Sequence, residues 1–207
     1  GLKSMTKVVK LSSHPTTRLG LKRVRKRKKK SPEDYGQLNL FESKQPTGKV
    51  VQLSTEISFE QALTFDELGD IEQAKRAYRG AIKNGDRIAD AYCNLGILES
   101  RNNSIQAIDC FTRSLKASPR HFQSHYNLAN LYSEEKNYPL AKLHYDIAIE
   151  IAPDFPNAYY NLGLVLAMMK AYNEAIDVLS KYRKLSSIDE LGNTNELIDS
   201  LRNSIID

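Results

Sequence analysis

Four copies of one pattern fill residues 55–189, and a chain built that way buries its apolar surface between neighbouring copies rather than in one central core. The copies begin at Thr55, Ala89, Phe122 and Pro156, at offsets of 34, 33 and 34 residues. One stretch recurs as Ala91-Tyr92-Cys93-Asn94-Leu95-Gly96, as His125-Tyr126-Asn127-Leu128-Ala129-Asn130 and as Tyr159-Tyr160-Asn161-Leu162-Gly163-Leu164. A second stretch follows it, clearest from Gly69 to Ile82, Lys136 to Ile149 and Ala171 to Leu179. A period in this range marks a solenoid of supersecondary units.

The residue types give the content of each unit. Apolar residues fall at helical spacing twice per copy, as in Tyr126, Leu128, Leu131 and Tyr132, then Leu140, Leu143, Ile147 and Ile151. The eighth position of each copy is small (Ala62, Gly96, Ala129, Gly163), and so is the position opening the second helix (Ala74, Ala107, Ala141, Ala175). Small residues at both sites let two antiparallel helices approach closely, while Phe65, Tyr78, Phe111, Tyr132 and Tyr145 fill the spaces between copies. Pro119 and Pro153 stand where second helices stop, and Pro139 in a first turn, where a missing N–H is harmless.

These positions resemble the tetratricopeptide repeat, a helix–turn–helix family of 34-residue units. The resemblance implies an all-α, right-handed superhelical solenoid: repeats at about 55–88, 89–121, 122–155 and 156–189, then a capping helix at about 194–206 with Leu197, Ile198, Leu201 and Ile205 on one face. Three departures stand out. The second copy is one residue short near Asn102 to Ser104, and the first has Gln61-Ala62 in place of Leu-Gly. The fourth carries Leu166 and Leu179 at aromatic positions and Tyr182 at a small one. Degraded end copies are what capping requires.

Charge divides the chain into an expected tail, 1–50, and a repeat domain, 51–207. Residues 1–50 hold 14 Lys and Arg against 3 Asp and Glu, whereas 51–207 hold 16 against 22. The tail has no helical periodicity and reads as largely disordered. Within it Lys22, Arg23, Arg25, Lys26, Arg27, Lys28, Lys29 and Lys30 form a basic run. Such a run binds nucleic acid or another polyanion through counterion release, serves as a nuclear address in a eukaryote, or is simply a solubilising tail. Gly1 to Ser4 precede Met5 like a cloning scar and are given no weight.

A second tail feature, Gln37-Leu38-Asn39-Leu40-Phe41, resembles the short peptide with which bacterial replication and repair proteins dock on the sliding clamp. That resemblance implies Leu38, Leu40 and Phe41 in an apolar pocket and Gln37 fixing orientation, with Asn39 in place of the usual Ser or Asp. The bland alternative is that Leu38, Leu40 and Phe41 help Val50, Val51 and Leu53 cover the first repeat.

Catalytic and cofactor signals are weak. His121 and His125 stand four apart but lack the glutamate and third ligand of a zinc helix, so they read as packing histidines. Asp66-Glu67 and Glu134-Glu135 read as solvated helix faces. No cofactor or metal is expected, and no enzymatic activity. Cys93 and Cys110 read as reduced thiols of a cytoplasmic protein. No apolar run approaches the ~20 residues of a membrane span, so no membrane association is expected.

The inner curve of such solenoids is lined by the first helices, and there Asn94, Asn127 and Asn161 recur at the sixth position. Each amide has one acceptor and two N–H donors, the complement of an extended peptide backbone. The arrangement resembles the asparagine ladder of O-linked N-acetylglucosamine transferases and armadillo proteins. Tyr126, Tyr160 and Asn130 flank it. Equally open is an internal role, each amide bonding within its own repeat. The basic residues of a chaperone-type carboxylate clamp are missing, with Phe59, Gln123 and Asn127 in their places. The expected function is a non-enzymatic scaffold that binds an extended segment of a partner protein. The alternative is a nucleic-acid-associated accessory factor whose tail holds DNA or RNA and docks on a sliding clamp.

Overall fold

The computed structural model describes residues 20–25, 57–186 and 192–206. Among them the chain forms helices in antiparallel pairs: α1 (Phe59–Glu67) with α2 (Ile71–Lys83), α3 (Ile88–Glu99) with α4 (Ser104–Ala117), α5 (Phe122–Glu134) with α6 (Tyr138–Ile151), and α7 (Pro156–Met168) with α8 (Tyr172–Leu185). A last helix, α9 (Gly192–Ile206), packs on α8 and buries Ile198 and Leu201 against the end of the stack. The described residues form an all-α solenoid of tetratricopeptide type.

Local chemistry sets the helix starts. Ser58 and Gln61 form a capping box at α1, and Asp70, Asn103 and Asn137 cap α2, α4 and α6 through their side chains. Pro139 and Pro156 occupy first turns of α6 and α7. The turns between paired helices are set by one left-handed residue. Gly69, Lys136 and Lys170 have φ of 78, 58 and 62°, and each lies one residue past a helix C-cap. In each case the next amide reaches back five residues in a Schellman turn: Asp70 to Phe65 at 3.0 Å, Asn137 to Tyr132 at 2.7 Å and Ala171 to Leu166 at 2.9 Å. The short second repeat has no such residue. Asn102 and Asn103 instead both donate to the Glu99 carbonyl, so the residue missing from the sequence is the left-handed one.

The small positions are close helix contacts. A methyl group on Gly96 would lie 2.7 Å from Phe111 Cε1, and one on Gly163 would lie 2.5 Å from Leu179 Cγ. Tyr182, unexpected at a small position, is buried and packs its ring 5.1 Å from that of Tyr160. Buried apolar side chains form two clusters, one across α1–α5 and one across α5–α9. Val24, from the basic tail, belongs to the first of them.

Candidate functional site

Helices α3, α5 and α7 adjoin one another, so their sixth-position asparagines share the inner face. Asn94 and Asn127 are wholly buried there, and both hold backbone. Asn94 Oδ1 accepts the Val24 N–H at 2.9 Å and its Nδ2 donates to the Val24 carbonyl at 3.0 Å. Asn127 does the same for Lys22, at 2.9 and 3.2 Å. Residues i and i+2 of an extended chain present N–H and C=O to the same side, so one asparagine per two residues is the natural register. Tyr126 adds a hydrogen bond from its hydroxyl to the Gly20 carbonyl at 3.2 Å. Residues 20–25, within the segment expected to be largely disordered, therefore lie extended across α1, α3 and α5. They run from the third repeat toward the first.

Side chains fix the segment further. Arg23 Nη1 donates to Asp66 Oδ1 at 2.5 Å, and the Asp66 side chain is only 2% exposed. The other Asp66 oxygen accepts the Tyr78 hydroxyl at 3.1 Å, and that hydroxyl also accepts from Asn94 Nδ2 at 3.1 Å. Asp66, Tyr78 and Asn94 thus form one buried network from which Arg23 and Val24 are both held. Burial and then the neighbouring Asp66 charge push the Tyr78 phenol well above its ordinary pKa, so it stays a neutral donor. Lys22 Nζ sits 5.3 Å from the centroid of the Phe155 ring, in cation–π range. Asp66 corrects one sequence expectation: it is a buried groove carboxylate, whereas its neighbour Glu67 is exposed. Its signal was its position. The twelfth residue of the other copies is Ser100, Ser133 or Ala167, so Asp66 is the one charge in that register.

The remaining candidates are placed differently. Asn161 turns inward: its Nδ2 donates to the Tyr126 hydroxyl at 3.1 Å and to Asn130 Oδ1 at 2.9 Å. Asn130 Oδ1 also accepts the Tyr145 hydroxyl. Tyr160 is buried against Tyr182. Among the described residues, Asn161, Asn130 and Tyr160 bond or pack within the third and fourth repeats, and Asn94, Asn127 and Tyr126 touch the segment. Of the basic run, Lys22 and Arg23 bond to the groove and Arg25 is exposed; Lys26, Arg27, Lys28, Lys29 and Lys30 lie outside the described residues. So do Gln37, Leu38, Leu40 and Phe41.

His121 bonds Asp90 at 2.9 Å and caps α5, and His125 meets His144, with 2.9 Å between their Nδ1 atoms. No group of three metal-ligating side chains occurs among the described residues. Burial pushes the Cys93 and Cys110 thiols up to about 12 and about 11, which leaves both poorly nucleophilic. No described helix is long and apolar enough to cross a membrane.

Known proteins agree with this architecture. A TPR repeat model matches residues 130–170, and tetratricopeptide repeat models match 110–142 and 59–106. Among solved structures, MamA of AMB-1 superposes with a TM-score of 0.61 at 20% identity, over 70% of this chain and 86% of that one. A fragment of MamA from Desulfovibrio magneticus RS-1, residue 41 to the end, gives 0.58 at 23% identity, over 71% and 86%. Identity at that level carries the fold alone. No curated protein sequence matches the chain.

Proposed function

We propose that this chain, a tetratricopeptide-repeat solenoid and so a protein–protein interaction scaffold, acts without catalysis by binding an extended peptide segment of a partner in its concave groove. The observation that carries the proposal is the pair of two-bond grips, Asn94 on Val24 and Asn127 on Lys22. Each grip uses both backbone groups of one residue and none of its side chain, so any extended segment can satisfy it. The tail segment 20–25 stands in this proposal as a ligand in cis, and a partner enters by replacing it. Tyr126, beside Asn127 in the third repeat, extends the grip to the Gly20 carbonyl. Asn161, Asn130 and Tyr160 support the shape of the groove through their bonds and packing in the third and fourth repeats.

A full-length chain carrying Arg23→Glu and Val24→Asp, which frees the groove of its own segment, tests the proposal. A fluorescent peptide of residues 18–27 should bind this variant by anisotropy. The same variant with Asn94→Ala and Asn127→Ala added should bind at least tenfold more weakly, since four hydrogen bonds of about 0.5–1.5 kcal/mol each are removed. Equal binding with and without the asparagines would overturn the groove assignment.

A further inference from the structure

Backbone grips confer affinity but no choice of sequence, and the groove has a second element that does choose. Asp66 is a carboxylate kept almost wholly from water, with one oxygen committed to Tyr78 and the other to Arg23. A carboxylate in that setting strongly favours a cation, because an uncompensated buried charge is expensive. The geometry narrows the cation further. Arg23 lies between the two gripped residues, Lys22 and Val24, so its backbone groups face away from the asparagines and only its side chain reports its identity. Val24 is 7% exposed and joins the apolar cluster that spans α1–α5, so the next position takes a buried aliphatic group. Lys22 places an ammonium over Phe155, so the preceding position takes a second cation.

Resting on the peptide-binding proposal, we infer that the groove is an arginine-selective site for basic extended peptides. Asp66 is its specificity residue, and the order it takes is cation, arginine, buried aliphatic from the third repeat toward the first. Residues Lys22-Arg23-Val24 are the chain's own copy of that ligand. Arginine rather than lysine fits because the guanidinium offers several N–H donors on a plane and is less strongly hydrated than an ammonium. It can leave water for a buried carboxylate at smaller loss. A partner of this class has to outcompete the internal copy, so the cis segment sets a threshold on which peptides enter.

The test uses the full-length Arg23→Glu/Val24→Asp chain and a set of labelled peptides spanning residues 18–27. One has the natural arginine at the position of Arg23, and the others have lysine, glutamine or citrulline there. The lysine peptide should bind about five-fold more weakly than the arginine peptide, and the two neutral peptides at least ten-fold more weakly. Adding Asp66→Asn should collapse these differences to within about two-fold, with the thermal melt confirming that the variant is folded. The peptide series itself needs no change at Asp66, so a poorly folded Asp66→Asn leaves the selectivity measurement standing. Binding that depends on Asn94 and Asn127 but treats all four peptides alike would overturn the arginine assignment and leave the groove proposal intact. Failure of every peptide to bind would overturn both.

Discussion

Asn94 and Val24 exchange two hydrogen bonds across 70 residues of sequence, one amide side chain closing on both polar groups of one backbone unit. Asn127 repeats the arrangement on Lys22, 105 residues away. Two such grips fix the register of the segment. A slip by one residue would turn the gripped groups to the opposite side.

Hydrogen exchange should see that register in the unaltered protein. The Lys22 and Val24 amides are expected to exchange slowly and the intervening Arg23 amide quickly. Asn94→Ala with Asn127→Ala should raise the first two to the rate of Arg23. Uniform fast exchange across 20–25 in the wild type would contradict the docked segment.

Asn161 and Asn130 should behave as structural residues. Asn161→Ala removes donors to both Tyr126 and Asn130, and Asn130→Ala removes the oxygen to which the Tyr145 hydroxyl donates. Each is expected to lower stability to urea by about 1–3 kcal/mol, the usual loss when a buried polar partner is removed. Neither should abolish protection at Val24. Of the three expected ladder positions, Asn94 and Asn127 hold backbone of the described segment.

Gly96→Ala and Gly163→Ala should both destabilise, although alanine is the better helix former by about 1 kcal/mol. The added methyl would sit 2.7 Å from the buried Phe111 ring in one case and 2.5 Å from buried Leu179 in the other. Overpacking of this kind costs about 1–3 kcal/mol. Denaturant midpoints below that of the wild type check it; a rise in either midpoint would show that the neighbouring side chain gives way freely.

The turn geometry predicts gains at two lysines. Lys136 and Lys170 hold the left-handed conformation that Gly69 holds in the first repeat, and a side chain there is strained. Lys136→Gly and Lys170→Gly should each stabilise by about 0.5–1 kcal/mol, and Gly69→Ala should destabilise by a similar amount. Thermal melts of the three variants should move in those opposite directions.

Acid should weaken the third repeat. Burial, and then the neighbouring His125, push His144 from its ordinary 6.5 down to about 4, and burial also lowers His125. Between about pH 4 and 6.5 the unfolded chain therefore binds more protons at His144 than the folded one. The stability tied to the neutral ring is complete above 6.5 and drains away as pH falls toward 4. The melting temperature should drop over that interval, and His144→Gln should flatten the drop.

Much of this architecture was legible because repetition amplifies weak signals. Gly96 and Gly163 recur against large partners, and Asn94 and Asn127 recur on one inner face, so each position is read more than once. Single-copy features were not legible in the same way. Arg23 and Asp66 are far apart in sequence, and each belongs to a pattern that usually means solvent, a basic run and a pair of acidic neighbours. Their pairing depends on the path of the tail, which no period encodes. Asn161 is a related case. It shares its register with Asn94 and Asn127, but among the described residues its amide donates to the Tyr126 hydroxyl and to Asn130 rather than to backbone.

The docked strand touches three different repeats, through Asp66 in the first, Asn94 in the second, and Asn127 and Tyr126 in the third. A short piece of chain thereby sets the spacing of units that otherwise meet only their immediate neighbours. Any change in the spacing of those repeats is therefore linked to how firmly the strand is held. A molecule that grips the outer helices and favours a tighter or looser coil changes the hold on the strand, and the strand changes the hold on that molecule by the same factor. The solenoid is in this sense a spring whose rest length is written in Lys22, Arg23 and Val24.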